Sequence, residues 1–136
     1  KKFKIPEEAH ASCIHPTAIV SPEVKIGYGV LVNQYALLQV GCSINNYIHI
    51  YSNSLVGHGS IVQNYCTIGA HSVVGGRTQV GRGAHVGLNS SIREDINIGK
   101  YSIVGMGAVV VRNVESYDVV AGNPAVKINN LKETNE

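Results

Sequence analysis

Charged residues are scarce in this chain, and it has no long apolar run. Only 15% of its 136 residues are Asp, Glu, Lys or Arg, and the formal net charge is +2. This balance gives no broad basic surface for nucleic acid. No apolar stretch of about eighteen residues and no signal-peptide pattern occurs, so we expect a soluble, cytoplasmic protein that does not associate with a membrane.

Cysteine is also rare, and its spacing fits neither a disulfide framework nor a zinc site. The chain has 3 cysteines, at Cys13, Cys42 and Cys66. We expect them to be free thiols that pack as small apolar side chains, which agrees with a reducing compartment. No covalent nucleophile and no metal site are predicted.

The chain contains a strict repeat of six residues. Seventeen consecutive steps open with Ile, Leu or Val, and a second, usually small residue follows four positions later. The repeat predicts a stacked solenoid rather than a helical domain. The opening residues are Ile14, Val20, Ile26, Val32, Leu38, Ile44, Ile50, Val56, Val62, Ile68, Val74, Val80, Val86, Ile92, Ile98, Val104 and Val110.

The small residue and the next aliphatic residue are two positions apart, so both point to one side of a short strand. Three such strands make one triangular turn, and turns stack about 4.8 Å apart. The pattern resembles the hexapeptide-repeat, left-handed parallel β-helix, and the handedness is implied by that resemblance alone. We therefore predict an all-β chain of about five to six coils.

Glycine follows the aliphatic residue in eight of the seventeen steps, for example at Gly57, Gly75 and Gly87. We interpret this position as a corner that needs a left-handed backbone. The predicted organisation is a lead-in at 1–13 from a missing N-terminal domain, a β-helix at 14–115, and a C-terminal turn and tail at 116–136. Residues 126–136 are polar, and a short helix or a frayed tail is expected there.

The interior of such a coil is filled, so function must lie on corners or between subunits. Residues eighteen apart stack, which places His58, Gly76, Glu94 and Arg112 in one column. A neutral histidine on an outward corner position can accept a proton from a hydroxyl or amine. A corner histidine is more often only solvated. The other histidines are interpreted as solvated surface residues: His10 and His15 before the regular coil, His49 and His85 at outward strand positions, and His71 on a corner.

Several segments together resemble the sugar O- and N-acyltransferases of the sialic acid O-acetyltransferase type, which include bacillosamine and perosamine N-acetyltransferases. The resemblance covers essentially the whole chain. It is carried by Ile14-His15-Pro16-Thr17-Ala18, Val56-Gly57-His58, Val86-Gly87-Leu88-Asn89-Ser90, the segment 104–111, and Ala121-Gly122-Asn123-Pro124-Ala125.

The resemblance implies a cytoplasmic, homotrimeric acetyltransferase that uses acetyl-CoA to modify a sugar or nucleotide-activated sugar for surface glycans. His58 matches the family's general base, and Gly76 matches the glycine whose N–H faces the thioester oxygen. Gly76 is equally well explained as a flexible corner. The cofactor-contacting positions implied are Gly76, Thr67, Gly87, Arg112, Gly122, Asn123, Pro124 and Ala125. Arg112 is predicted to pair with Glu94 or, alternatively, to meet a CoA phosphate.

The chain departs from the family pattern at two of these positions. The carboxylate that usually follows the histidine is replaced by Gly59, and the second cofactor-side histidine is replaced by Thr67. A weaker base is expected without the carboxylate. A non-catalytic trimeric scaffold therefore remains an alternative. A γ-type carbonic anhydrase is a further one, but its third metal-binding histidine would fall at Gly76.

Overall fold

The chain folds into a parallel β-helix, which the computed structural model describes for residues 4–132. A short 3₁₀ turn at Glu7–Ala9 precedes the coils. Seventeen two-residue strands then follow at intervals of six residues. They are β1 Cys13–Ile14, β2 Ile19–Val20, β3 Lys25–Ile26, β4 Leu31–Val32, β5 Leu37–Leu38, β6 Ser43–Ile44, β7 His49–Ile50, β8 Leu55–Val56, β9 Ile61–Val62, β10 Thr67–Ile68, β11 Val73–Val74, β12 Gln79–Val80, β13 His85–Val86, β14 Ser91–Ile92, β15 Asn97–Ile98, β16 Ile103–Val104 and β17 Val109–Val110.

Every third strand pairs in parallel with the strand eighteen residues away, which produces three flat faces. Face 1 contains β1, β4, β7, β10, β13 and β16, face 2 contains β2, β5, β8, β11, β14 and β17, and face 3 contains β3, β6, β9, β12 and β15. A single bridge between Ile98 and Val114 extends face 3 into the sixth coil. The predicted all-β parallel solenoid of about five to six coils is confirmed, and the structure has about six.

The core is a column of the repeating aliphatic residues and their small partners. Val32 and every later member of the series are buried. Ile14 is 44% exposed because it lies on the first coil, which only one neighbouring coil covers. Buried hydroxyls such as those of Ser72 and Ser90 donate to corner carbonyls, at 2.6 Å and 2.7 Å. Among residues 4–132 no buried side-chain polar atom lacks a partner.

The corners differ from the prediction in one respect. Glycines directly after the aliphatic residue, such as Gly57, do not have a positive φ, and the left-handed residue comes two positions later, as at Gly59 with φ 66°. The glycine is needed instead because the next coil lies against it: a Cβ at Gly57 would lie 2.5 Å from the backbone nitrogen of Gly76. The interpretation of this position as left-handed was therefore wrong.

A β-hairpin covers the last coil. Strand β18, Asp118–Ala121, joins face 1 beside β16, and β19, Val126–Asn130, pairs with β18 in antiparallel fashion. Residues 126–130 thus form a strand rather than the expected helix or frayed tail, and residues 133–136 lie outside the described range. Buried Asp118 holds the hairpin through Asn130 Nδ2 at 2.6 Å and Lys127 Nζ at 3.1 Å.

Candidate functional site

The predicted column lies on the corner between faces 2 and 3, which we call the 2–3 corner (residues 57–60, 75–78 and 93–96, followed by Arg112 and Asn113). Strands β8, β11, β14 and β17 stack in register beside it. His58 is exposed there, and its backbone N–H donates to Gln39 Oε1 at 3.0 Å. The six-residue repeat therefore presents this imidazole to solvent next to the backbone of the following coil.

The imidazole of His58 lies directly over Gly76. A Cβ at position 76 would be 2.5 Å from His58 Cε1 and less than 3 Å from both ring nitrogens. The Gly76 N–H has no acceptor among residues 4–132. Gly76 is buried beneath the exposed imidazole, and a side chain at Gly57 would lie against the same backbone nitrogen.

Two charged side chains, those of Arg77 and Asp95, also lie on the 2–3 corner. Arg77 Nη1 is 2.8 Å from His58 Nε2, while Arg77 Nε and Nη2 donate to the two Asp95 oxygens at 2.7 Å and 2.8 Å. The hydrogen bond from Arg77 holds the pKa of Asp95 below its usual range. Both side chains are about half exposed, at 53% and 58%, so the pair is screened by solvent.

Two predicted cofactor positions lie at the corner between faces 1 and 2, the 1–2 corner (residues 51–54, 69–72, 87–90 and 105–108): Gly87 belongs to the corner, and Thr67 to the adjoining strand β10. Thr67 lines a largely apolar groove there with Tyr51, Leu88 and Met106. Gly87 is buried and directly precedes the groove residue Leu88, and a Cβ on it would meet the Met106 backbone nitrogen at 2.8 Å. Met106 is 74% exposed, so the apolar wall of the groove is open to solvent.

The remaining predicted positions lie near the C-terminal hairpin. Arg112 and Ala125 line one shallow cavity. The turn that contains Gly122, Asn123 and Pro124 is exposed, and Ala125 N donates to Val109 O at 2.8 Å, which fixes the turn against β17. Arg112 forms no ion pair within residues 4–132, so the predicted pairing with Glu94 was wrong.

The chain thus brings His58 and Gly76 together, but it places Gly87 on the corner at the opposite edge of face 2 and Thr67 on strand β10 of face 1, next to that corner. Sequence reasoning missed Gln39, Arg77 and Asp95. The Arg77–Asp95 ion pair could have been found from the sequence, because the two opposite charges are eighteen residues apart and the repeat stacks such positions.

Cysteines contribute no reactive group to the 2–3 corner. Cys42 and Cys66 are buried free thiols, as predicted, and burial raises the pKa of Cys66 to about 11. Cys13 is exposed rather than packed inward, because it takes the outward position of β1. No group of three His, Cys, Asp or Glu side chains in residues 4–132 is placed to hold a metal ion.

Three of the other histidines differ from the solvated side chains that were predicted. His15 is half-buried, and its Nδ1 lies 2.9 Å from Thr17 Oγ1. His49 is half-buried and stacks on Tyr51 with ring centroids 3.8 Å apart, and burial lowers its pKa. His10 is half-buried and shares a hydrogen bond of 2.7 Å with the Tyr47 hydroxyl. His71 and His85 are exposed, in agreement with the prediction.

Solved structures of sugar acetyltransferases resemble this chain over most of its length. A variant of perosamine N-acetyltransferase from Caulobacter crescentus, in complex with CoA and GDP-perosamine, has a TM-score of 0.87 and 30% identity over 89% of this chain. The acetyltransferase domain of PglB from Neisseria gonorrhoeae, in complex with acetyl coenzyme A, has a TM-score of 0.85 and 29% identity over 86%. WeeI from Acinetobacter baumannii has a TM-score of 0.86 and 29% identity over 88%.

These structures confirm the resemblance to hexapeptide-repeat sugar acetyltransferases that the motifs indicated. The chain spans less than two thirds of each of these proteins, at 58%, 57% and 58% of their lengths. No protein-family model matches the chain, and no curated protein matches it by sequence. No helix within residues 4–132 has the length and apolar character needed to span a membrane.

Proposed function

We propose that this chain is an acetyl-CoA-dependent acetyltransferase that modifies an amino or hydroxyl group of a nucleotide-activated sugar used in surface glycan synthesis. The observation that carries the proposal is the exposed His58 imidazole stacked on an amide, that of Gly76, with no acceptor among residues 4–132. A base and an oxyanion donor on adjacent coils are the two groups that direct acyl transfer needs. The sugar acetyltransferases of the same fold support the assignment.

The residues act in one displacement. Acetyl-CoA supplies the activated acetyl group as a thioester. The acceptor nitrogen or oxygen bonds to the acetyl carbon, the carbon–sulfur bond breaks, and CoA leaves with the sulfur electron pair. His58 takes the acceptor proton and returns it to the leaving sulfur. The Gly76 N–H donates to the carbonyl oxygen as negative charge develops on it.

The groups on this chain fit acetyl-CoA at several points. The Gly76 amide, which has no acceptor in residues 4–132, suits the carbonyl oxygen, and the apolar groove of Tyr51, Leu88 and Met106 suits an extended aliphatic arm. Thr67 adds a hydroxyl to that groove. Arg112, without an ion-pair partner in residues 4–132, is available to a phosphate, and the turn at 122–125 lies beside the same cavity.

Face 2 supports a homotrimer. Its outward positions are aliphatic with one exception, whereas face 3 presents mainly polar side chains. In a threefold assembly around face 2, the 2–3 corner of one copy meets the 1–2 corner of the next. His58 of one subunit would then face the Thr67 and Gly87 groove of its neighbour. The outward positions of face 2 are Ile19, Leu37, Leu55, Val73, Ser91 and Val109.

We place the protein in the cytoplasm, where acetyl-CoA is available. The free, buried thiols of Cys42 and Cys66 agree with a reducing compartment. We further propose that residues 1–13 lead in from an N-terminal domain, that 14–115 form the acyltransferase unit, and that 116–136 form the cofactor-side turn and tail.

The decisive experiment combines binding with turnover. The chain is titrated calorimetrically with CoA and then screened for acetyl transfer to amino-sugar nucleotides. We expect saturable CoA binding, and we expect His58→Ala to lose about 10²- to 10⁴-fold in turnover while it keeps its fold and its CoA affinity. His15→Ala, on the first coil, is the matched control and should keep full activity.

Two results would reject the proposal. Full turnover by the His58→Ala protein would remove the general base. Failure of the wild-type chain to bind CoA at millimolar concentration would favour the scaffold alternative, which predicts the same coils but no cofactor site.

A further inference from the structure

The contact between Arg77 and His58 defines which imidazole nitrogen carries the proton. A guanidinium can only donate hydrogen bonds, so His58 Nε2, 2.8 Å from Arg77 Nη1, must accept. In a neutral imidazole the other nitrogen, Nδ1, then carries the proton. Nδ1 itself has no partner within residues 4–132, so the tautomer is set by Arg77 alone.

Gly59 provides the space for this contact. Gly59, Arg77 and Asp95 take the left-handed corner position on three consecutive coils, with φ of 66°, 54° and 58°. A Cβ at Gly59 would touch Arg77 Cγ at 3.6 Å, and a longer side chain there would occupy the path of the arginine. The Arg77 N–H also donates to His58 O at 2.7 Å, which joins the two adjacent coils at this corner.

Asp95 determines where the guanidinium lies. It accepts two hydrogen bonds from Arg77, through Nε and Nη2, and leaves Nη1 for the imidazole. This fork geometry is specific to arginine, because lysine has a single ammonium group. A carboxylate is thus linked to His58 through Arg77, although it lies two coils away and not at position 59.

We propose that the Asp95–Arg77 pair is the positioning device for His58, which holds the Nδ1–H tautomer and directs the Nε2 lone pair until the acceptor takes the place of Arg77 Nη1. This inference rests on the proposed function. A nitrogen has one lone pair, so Nε2 cannot accept a substrate proton while Arg77 donates to it. The acceptor hydroxyl or amine therefore displaces Nη1, and Asp95 retains Arg77 through the other two hydrogen bonds.

The Asp95–Arg77 pair is also compatible with the protonated form of His58. When Nε2 has taken the proton, the imidazolium lies beside a guanidinium, and two cations in contact repel each other. Asp95 neutralises that guanidinium, so the pair as a whole adds no net charge at the corner. An arginine without Asp95 would oppose proton transfer to His58.

The test is nitrogen NMR of the whole chain with ¹⁵N-labelled histidine, at a pH where His58 is neutral. The wild-type protein should show a protonated Nδ1 and a bare Nε2 for His58, assigned by comparison with His58→Ala. Arg77→Met should move the signals toward the Nε2–H tautomer that predominates in free histidine. Asp95→Asn should give an intermediate mixture. Arg93→Met, an exposed arginine on the same corner, is the control and should leave the signals unchanged.

Kinetics provide the second readout. Arg77→Met should lower turnover by about tenfold or more, within the 10²- to 10⁴-fold that a general base contributes, and CoA affinity should stay constant. Arg77→Lys should recover part of the Nδ1–H signal but not the wild-type rate. A wild-type His58 with Nε2–H, or equal spectra for wild type and Arg77→Met, would overturn the proposal.

Failure of the proposed function has a different signature. If the tautomer responds to Arg77→Met but His58→Ala keeps full turnover, the positioning contact stands and the general-base role is rejected. If the spectra do not respond but His58→Ala is inactive, the base stands and the positioning role is rejected.

Discussion

A single methyl group at position 76 tests the geometry of the 2–3 corner. In Gly76→Ala the new Cβ would lie 2.5 Å from His58 Cε1, whereas an ordinary contact is 3.4–4 Å. The imidazole must therefore move by about 1 Å, and a misplacement of that size can cost about 10²-fold in rate. The atoms contacted belong to the mobile end of an exposed side chain, so the fold can accommodate the change.

The effect on stability should be small or favourable. Gly76 does not have a positive φ, so alanine at this position can stabilise the protein by about 0.4–1 kcal/mol through the unfolded chain. Gly57→Ala is the matched control, because its Cβ would meet backbone atoms of Gly75 and Gly76 at 2.5–2.8 Å. Overpacking of this kind costs about 1–3 kcal/mol.

The assay pairs urea unfolding with initial rates of acetyl transfer at saturating acetyl-CoA. Gly76→Ala should unfold at or above the wild-type midpoint and lose about 10²-fold in turnover, while Gly57→Ala should unfold at lower urea. The reasoning fails if Gly76→Ala keeps wild-type turnover. It also fails if Gly76→Ala is destabilised as much as Gly57→Ala, since the contact would then involve the backbone.

Three further predictions concern the core, the assembly and the hairpin. Ile68→Ala, at a fully buried site, should lower the free energy of unfolding by about 2–5 kcal/mol in urea denaturation. Leu55→Glu on face 2 should abolish the proposed trimer in sedimentation velocity, whereas Gln79→Glu on face 3 should not. Burial raises the pKa of Asp118, but its hydrogen bonds with Asn130 and Lys127 outweigh that and lower it. Its stabilising contribution is thus present above the unfolded pKa of about 3.9 and is lost as the pH falls through the lower folded value, so Asp118→Asn should flatten the acid side of a melting-temperature profile.

The coils were predictable from sequence because the solenoid imposes one period on both strands and corners. Val56 and Val74, eighteen residues apart, had to lie in adjacent strands, so the stacking of His58 on Gly76 followed directly. The role of Gly57 was assigned incorrectly because composition cannot separate two reasons for glycine. A left-handed φ and a close approach of the neighbouring backbone both favour glycine, and only the three-dimensional structure distinguishes the two reasons.

The six-residue repeat does not predict the contacts that long side chains make. Arginine and aspartate at corner positions are consistent with solvated side chains, and a period does not show that Arg77 reaches the neighbouring imidazole. The predicted Arg112–Glu94 pair failed for the same reason, since stacked positions permit an ion pair but do not require one. The C-terminal strand escaped prediction because Val126–Asn130 lies outside the six-residue repeat.

Because the coils stack in parallel at a constant spacing, distances along the solenoid axis change in steps of one strand spacing. Val56, near His58, and Val110, near Arg112, are separated by three strand pairings, so their strands lie about 14.4 Å apart at the usual strand spacing. The axial distance from His58 to Arg112, beside the terminal hairpin, is therefore a whole number of coil spacings. Insertion of one eighteen-residue coil between these two residues would lengthen that distance by one strand spacing and leave both corners intact. The solenoid can therefore be matched to a longer or shorter ligand by a change in the number of coils alone.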